Sequence, residues 1–108
     1  MPQSSRQLYE LKAELIKAAA HPMRLAIIDA LRDGERCVCE ISEAVGAGQS
    51  NCSHHLSLMT RSGLLASRKD GLMVFYRLRT PCILQFIACV ERCLKERIKE
   101  DTAALRRL

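Results

Sequence analysis

No tryptophan occurs in these 108 residues, and two Tyr and two Phe bring the aromatic share to only 4%. Any core must therefore be aliphatic, built from Leu, Ile, Val, Ala and Met. Glycine and proline are scarce as well, at five and three, too few for a loop-dominated scaffold. Six cysteines in so short a chain would suit a disulfide-stapled secreted fold. The polar, amphipathic start, MPQSSRQLYELKAELIKAAA, lacks the apolar stretch of a signal peptide. No run approaches the roughly 18 apolar residues of a membrane span. These absences point to a cytoplasmic protein with reduced thiols, where clustered cysteines more often bind metal or sense redox state than cross-link. Catalytic signatures are missing too. There is no Ser/His/Asp set, no carboxylate pair and no Gly-rich phosphate loop, so an enzyme is not expected.

What the chain has is positive charge. Lys plus Arg number 17 against 12 Asp plus Glu, a net charge of +5 and a pI near 9.1. A small basic chain points to an anionic partner, nucleic acid before a membrane surface. The length allows one domain, 1–108, with one modest core.

Leu8, Leu11, Leu15, Ile16 and Ala19 recur at helical steps, which predicts an amphipathic helix capped near Ser4 or Ser5. His21-Pro22 breaks it, and Pro22 suits the first turn of a second helix that carries Leu25, Ile28 and Leu31 to a stop at Asp33-Gly34. A short helix over 38–45, a turn at Gly46-Ala47-Gly48 and a helix over 49–62 follow. Leu65 to Lys69 and Leu72 to Leu78, joined at Asp70-Gly71, predict a hairpin. After Thr80-Pro81 a long helix places Ile83, Ile87, Val90, Leu94 and Ile98 on one stripe, and its charged end, 95–108, is expected to fray. The order α-α-α-α-β-β-α is mainly helical with a β-hairpin wing, a winged helix-turn-helix. The DNA-binding core would be 20–80. The flanking amphipathic helices, 5–19 and 81–105, would make a homodimer that presents two reading helices to a palindromic site.

The helix after the Gly turn has two unlike faces. Cys52, Leu56 and Met59 form an apolar stripe, whereas Ser50, Ser53, His54, Ser57 and Arg61 gather opposite it. With Gln49 and Asn51, these are side chains that bond base edges and phosphates. A merely solvated face would more typically carry Glu and Lys pairs. His55 falls toward the buried side as an interior histidine, and Cys52 is a core residue. In the wing, Arg68, Lys69 and Arg77 are placed to touch phosphates.

RCVCEI, residues 36–41, stands at the start of the short helix. Residues i and i+2 point about 200° apart, so Cys37 and Cys39 could not share a ligand on a regular helix. Cys82, Cys89 and Cys93 fall within about 40° of one another on the last helix, and Cys89 and Cys93 are spaced to chelate one ion.

HPMRLAIIDAL, CVCEI, GQSNCSHHLSLMTRSGLL and RKDGLMVFYRL together resemble the ArsR/SmtB family of metal-sensing winged-helix repressors. The likeness runs over about 17–78, and the last helix fits as well. It implies a homodimer that binds duplex operator DNA as apo-protein and leaves it when an inducer binds. Cys37 and Cys39 match the CVC element of the family's arsenite, antimonite, cadmium and lead sensors. The arsenite branch often has a third cysteine where this chain has Ser42. The cadmium and lead branch adds N-terminal cysteines, and here the first 36 residues hold none. Cys82, Cys89 and Cys93 are the remaining candidates for a third ligand or a second site, since zinc sensors of the family hold metal on this helix. Soft thiolates favour As(III) or Sb(III), or alternatively Cd(II), Pb(II), Zn(II) or Cu(I). Two other functions suit the same residues: a thiol-based redox or persulfide-sensing repressor of the same fold, and a metal-buffering protein with no DNA role.

Overall fold

A computed structural model describes residues 2–107. The chain runs α1 (Gln3–Ala19), α2 (Pro22–Ala30), β1 (Arg36–Cys37), α3 (Val38–Val45), α4 (Gln49–Arg61), β2 (Leu65–Asp70), β3 (Met73–Leu78) and α5 (Ile83–Arg106). The expected order is present, with β1 added between the second and third helices.

Several boundaries differ from the expectation for identifiable reasons. α1 starts at Gln3, not after a Ser4 or Ser5 cap, because the Pro2 carbonyl already accepts the Arg6 N–H. α2 begins at Pro22 with His21 as its cap, and the His21 Nδ1 accepts the Met23 N–H at 3.0 Å. That satisfies one of the orphan donors at the helix start. α2 ends at Ala30, short of Asp33-Gly34. There the bonds shorten to the i, i+3 type, with the Leu31, Arg32 and Gly34 N–H groups bonded to the Ile28, Asp29 and Leu31 carbonyls. In the hairpin, Asp70 stays in β2 opposite Met73, so the two turn residues are Gly71 and Leu72. Only Gly71 has a positive φ, of 63°, which suits a turn with glycine at its first central position. The charged end of the last helix is included in α5, which is helical to Arg106.

The core lies where α2, α3, α4 and the base of the wing meet. Ile27, Ile28, Leu31, Ile41, Leu56 and Met59 are among its fully buried members. Ala18 and Ala19 close one end, and Ile83 closes another. The helix-turn-helix corner is fixed by Gly46, left-handed at φ 70°, and by Ser42, whose buried hydroxyl donates to the Ala47 carbonyl. The three strands pair antiparallel in the order β1-β3-β2.

α1 and α5 leave apolar surface uncovered. Ile83 of α5 is buried, and Leu84 and Ile87 pack on the core, but Phe86, Val90, Leu94 and Ile98 stay exposed. Leu8, Leu11 and Ile16 of α1 do too. A groove of about 590 Å³ lies between α1, α2 and α5, lined by Ile16, Leu25, Phe86, Val90 and Leu94. Among the described residues, no helix is long and apolar enough to cross a membrane.

Candidate DNA-reading face and thiol site

α4 is held from beneath and open above. Its stripe of Cys52, Leu56 and Met59 is fully buried, as the spacing predicts. Gln49, Ser50, Asn51, Ser53, His54, Ser57 and Arg61 are all exposed. Burial pushes the Cys52 thiol pKa up, so this sulfur stays protonated and serves as packing. The helix therefore presents a continuous surface of amides, hydroxyls, one imidazole and one guanidinium on a rigid underside.

His55 is the interior histidine expected, at 7% exposure. Its Nδ1 accepts from the Arg24 Nε at 3.1 Å, and its ring centroid lies 4.7 Å from that of His21. This contact ties α4 to α2. Burial, then the neighbouring His21, Arg24 and His54, hold the His55 pKa below its ordinary value of 6.5. The unfolded chain therefore takes up a proton at a higher pH than the folded one. The stability linked to His55 is full above about pH 6.5 and is lost as pH falls through the lower folded value. Urea unfolding from pH 7.5 to 5 should show this fall. In His55→Asn, whose side-chain oxygen can still accept from Arg24, the slope should flatten. An unchanged slope would remove His55 as its source.

The CVC element does not sit wholly on a helix. Cys37 is the last residue of β1 and the cap of α3, extended at φ −78° and ψ 164° and only 4% exposed. Its backbone N–H donates to Glu40 Oε1 at 3.1 Å, half of a capping box in which cysteine takes the place usual for Ser or Thr. The hydrogen bonds with Cys37, backbone first, hold the Glu40 carboxyl below the usual range. Cys39 lies one turn-step further on, in the first turn of α3, and is exposed. Its Sγ accepts from Gln49 Nε2 at 3.4 Å. Gln49 is the first residue of α4, so one thiol touches the start of the reading helix directly. The sequence suggests only a DNA-facing role for Gln49; in the structure its side chain is exposed and bonded to Cys39.

The last-helix thiols are elsewhere. Cys82 is the cap residue of α5, with helical backbone angles, and Cys82, Cys89 and Cys93 are all exposed. Among the described residues, no three His, Cys, Asp or Glu side chains are gathered as a metal would require. Cys37 and Cys39 fit a thiophilic ion in ligand type, as thiolates.

In the wing, Lys69 and Arg77 are exposed and free of ion pairs among the described residues. Arg68 is already engaged. Its Nε donates to both Glu35 carboxylate oxygens at 3.0 and 2.9 Å, and its Nη2 reaches Oε1 as well. Its guanidinium also lies 4.7 Å from the Phe75 ring centre. The hydrogen bond from Arg68 is the main reason that the Glu35 carboxyl pKa is lowered.

The sequence profile described as "Bacterial regulatory protein, arsR family" matches residues 21–67, from the cap of α2 into the wing. An HTH-type transcriptional regulator of Mycobacterium tuberculosis is 36% identical over 102 residues, covering 94% of this chain and 90% of that protein. The arsenical resistance operon repressor of Escherichia coli K12 is 38% identical over 94 residues, covering 82% and 80%. Among solved structures, a homodimeric winged helix-turn-helix domain of Mycobacterium bovis, described as a possible ArsR-family regulator, superposes with a TM-score of 0.79 at 28% identity, over 93% of both chains. These relatives are named as transcriptional regulators or repressors. The chain belongs to the ArsR/SmtB family of winged helix-turn-helix transcriptional repressors.

Proposed function

We propose that this repressor binds duplex operator DNA as an apo homodimer and leaves it when a thiophilic inducer takes both Cys37 and Cys39. As(III) or Sb(III) is the first choice, and Cd(II), Pb(II) or Zn(II) the alternatives. The observation that carries this reading is the 3.4 Å contact between Cys39 Sγ and Gln49 Nε2. It links the thiol pair to the first residue of the helix whose exposed face suits base edges and phosphates. The name of the Escherichia coli relative supports an arsenical inducer.

The chain's own residues suggest how release would follow. To bind one ion, both sulfurs must lose their protons and converge. Cys37 has to turn out of its buried cap, and the capping box with Glu40 opens. Cys39 has to drop Gln49. α3 and α4 are then no longer held in the apo arrangement, and two reading helices set for one spacing no longer fit it. A coupling of 1–3 kcal/mol, about 5- to 150-fold in affinity, suffices for such a switch. The uncovered apolar faces of α1 and α5 are the dimer surface in this proposal. Cys82, Cys89 and Cys93 form a separate thiol face on α5, as a source of a third sulfur or a second site.

The DNA half is testable without the inducer. Duplexes selected from a random library by the reduced protein should carry an inverted repeat with half-sites about one helical turn apart. Their affinity should fall steeply between 50 and 200 mM salt, by roughly tenfold or more. Failure to retain any duplex at low salt would overturn the repressor reading in favour of metal buffering.

A further inference from the structure

We propose that the thiol pair also sets the wing, through one row of side chains across the sheet, with Phe75 and the Glu35–Arg68 pair as positioning residues. This rests on reading Cys37 and Cys39 as the inducer site. Cys37 of β1 is in register with Phe75 of β3, and Phe75 is in register with Arg68 of β2. Residues directly opposite in an antiparallel pair project to the same face with Cβ atoms about 5 Å apart. Glu35 precedes β1 and lies two residues from Cys37. Arg68 passes over the Phe75 ring and closes on Glu35, bridging the wing strand β2 to the start of β1 across β3. The row thus joins a buried thiol to the hairpin. β1 is only two residues long, so nothing further along it resists a change at Cys37.

The consequence is directional. When Cys37 turns out of its cap to meet Cys39, its backbone leaves the register opposite Phe75. The ring then loses the neighbour on one side, and the Arg68 bridge loses its anchor strand. The wing is freed to change its angle against α4. Gln49 carries the same event to the reading helix. One site would thereby act on both elements that meet DNA.

Phenylarsine oxide is a suitable probe. It condenses with two thiols: two S–As bonds form, the arsenic-bound oxygen departs as water with both thiol protons, and no electrons are transferred. The full chain, carrying Cys82→Ser, Cys89→Ser and Cys93→Ser to remove competing thiols, receives Leu72→Trp as its only tryptophan. Leu72 is a turn residue at the wing tip with 105% exposure, so the reporter replaces no packing. Adduct formation is followed by mass spectrometry, and wing mobility by tryptophan anisotropy.

We expect the adduct to change the anisotropy. In Glu35→Gln and in Phe75→Leu the adduct should still form, and the wing response should fall about threefold or more. Glu35→Gln is an exposed, conservative change and decides the matter if Phe75→Leu fails to fold. An adduct with a silent wing, a full response in Glu35→Gln, or no adduct at all would overturn the proposal. DNA release by the same reagent is scored separately. Release with a silent wing sinks this inference and leaves the repressor reading standing, whereas a responding wing without release does the reverse.

Discussion

Changing Cys37 and Cys39 together to Ser should yield a repressor that still binds its selected duplex but no longer lets go. Arsenite-induced loss of affinity, expected at about 5- to 150-fold in the parent protein, should shrink to near onefold. The two positions fail for different reasons. Ser at position 37 is a better helix cap than Cys, because its oxygen accepts more strongly than sulfur. The capping box with Glu40 should survive, and folding with it, so lost release cannot be put down to a damaged α3. Ser at position 39 keeps an acceptor near Gln49 and removes only the soft ligand. The measurement is an anisotropy titration of labelled duplex with protein, with and without arsenite. Undiminished release in the double variant would move the inducer site away from the CVC element, most directly to the α5 thiols.

Leu56→Ala should cost about 2–5 kcal/mol in urea unfolding. Leu56 is fully buried on the underside of α4, in the same cluster as Ile28, Ile41 and Met59. Its loss leaves a cavity under the reading helix, and few aromatic or flexible side chains stand by to fill it in this aliphatic core. DNA affinity should drop as well, since α4 loses the support that fixes its angle. Ser57→Ala, one residue on and on the open face, should change stability by less than about 0.5 kcal/mol. The pair separates the faces of one helix. If both variants unfolded at the same urea concentration, the assignment of buried and open faces on α4 would be wrong.

The long periodic elements were legible in the sequence. The stripe of Cys52, Leu56 and Met59 and the interior place of His55 follow from spacing, because burial on one face imposes a period, and the hairpin follows from the Asp-Gly pair between two β-type runs. What the sequence leaves hidden is short or shared. β1 is two residues long and has no periodicity to read; it exists because β3 offers a free edge. That strand changes the meaning of RCVCEI. Cys37 is extended and buried where a helical wheel had placed it on a turn. The two thiols thus differ in backbone and in burial, Cys37 extended and buried, Cys39 helical and exposed. The cap made by His21 was hidden because histidine is an uncommon cap residue. Arg68 looked like a free wing cation, and its partner Glu35 lies 33 residues away. Only the fold joins them.

In this mechanism, occupancy of Cys37 and Cys39 and release of DNA are one event. Arsenite titrated into the complex of reduced protein and labelled duplex tests it most directly, with thiolate-to-arsenic absorbance and duplex anisotropy read from the same sample. The two signals should change together, share a midpoint and both vanish in the Cys37→Ser, Cys39→Ser variant. Absorbance that saturates while the duplex stays bound, or release that persists in that variant, would contradict it.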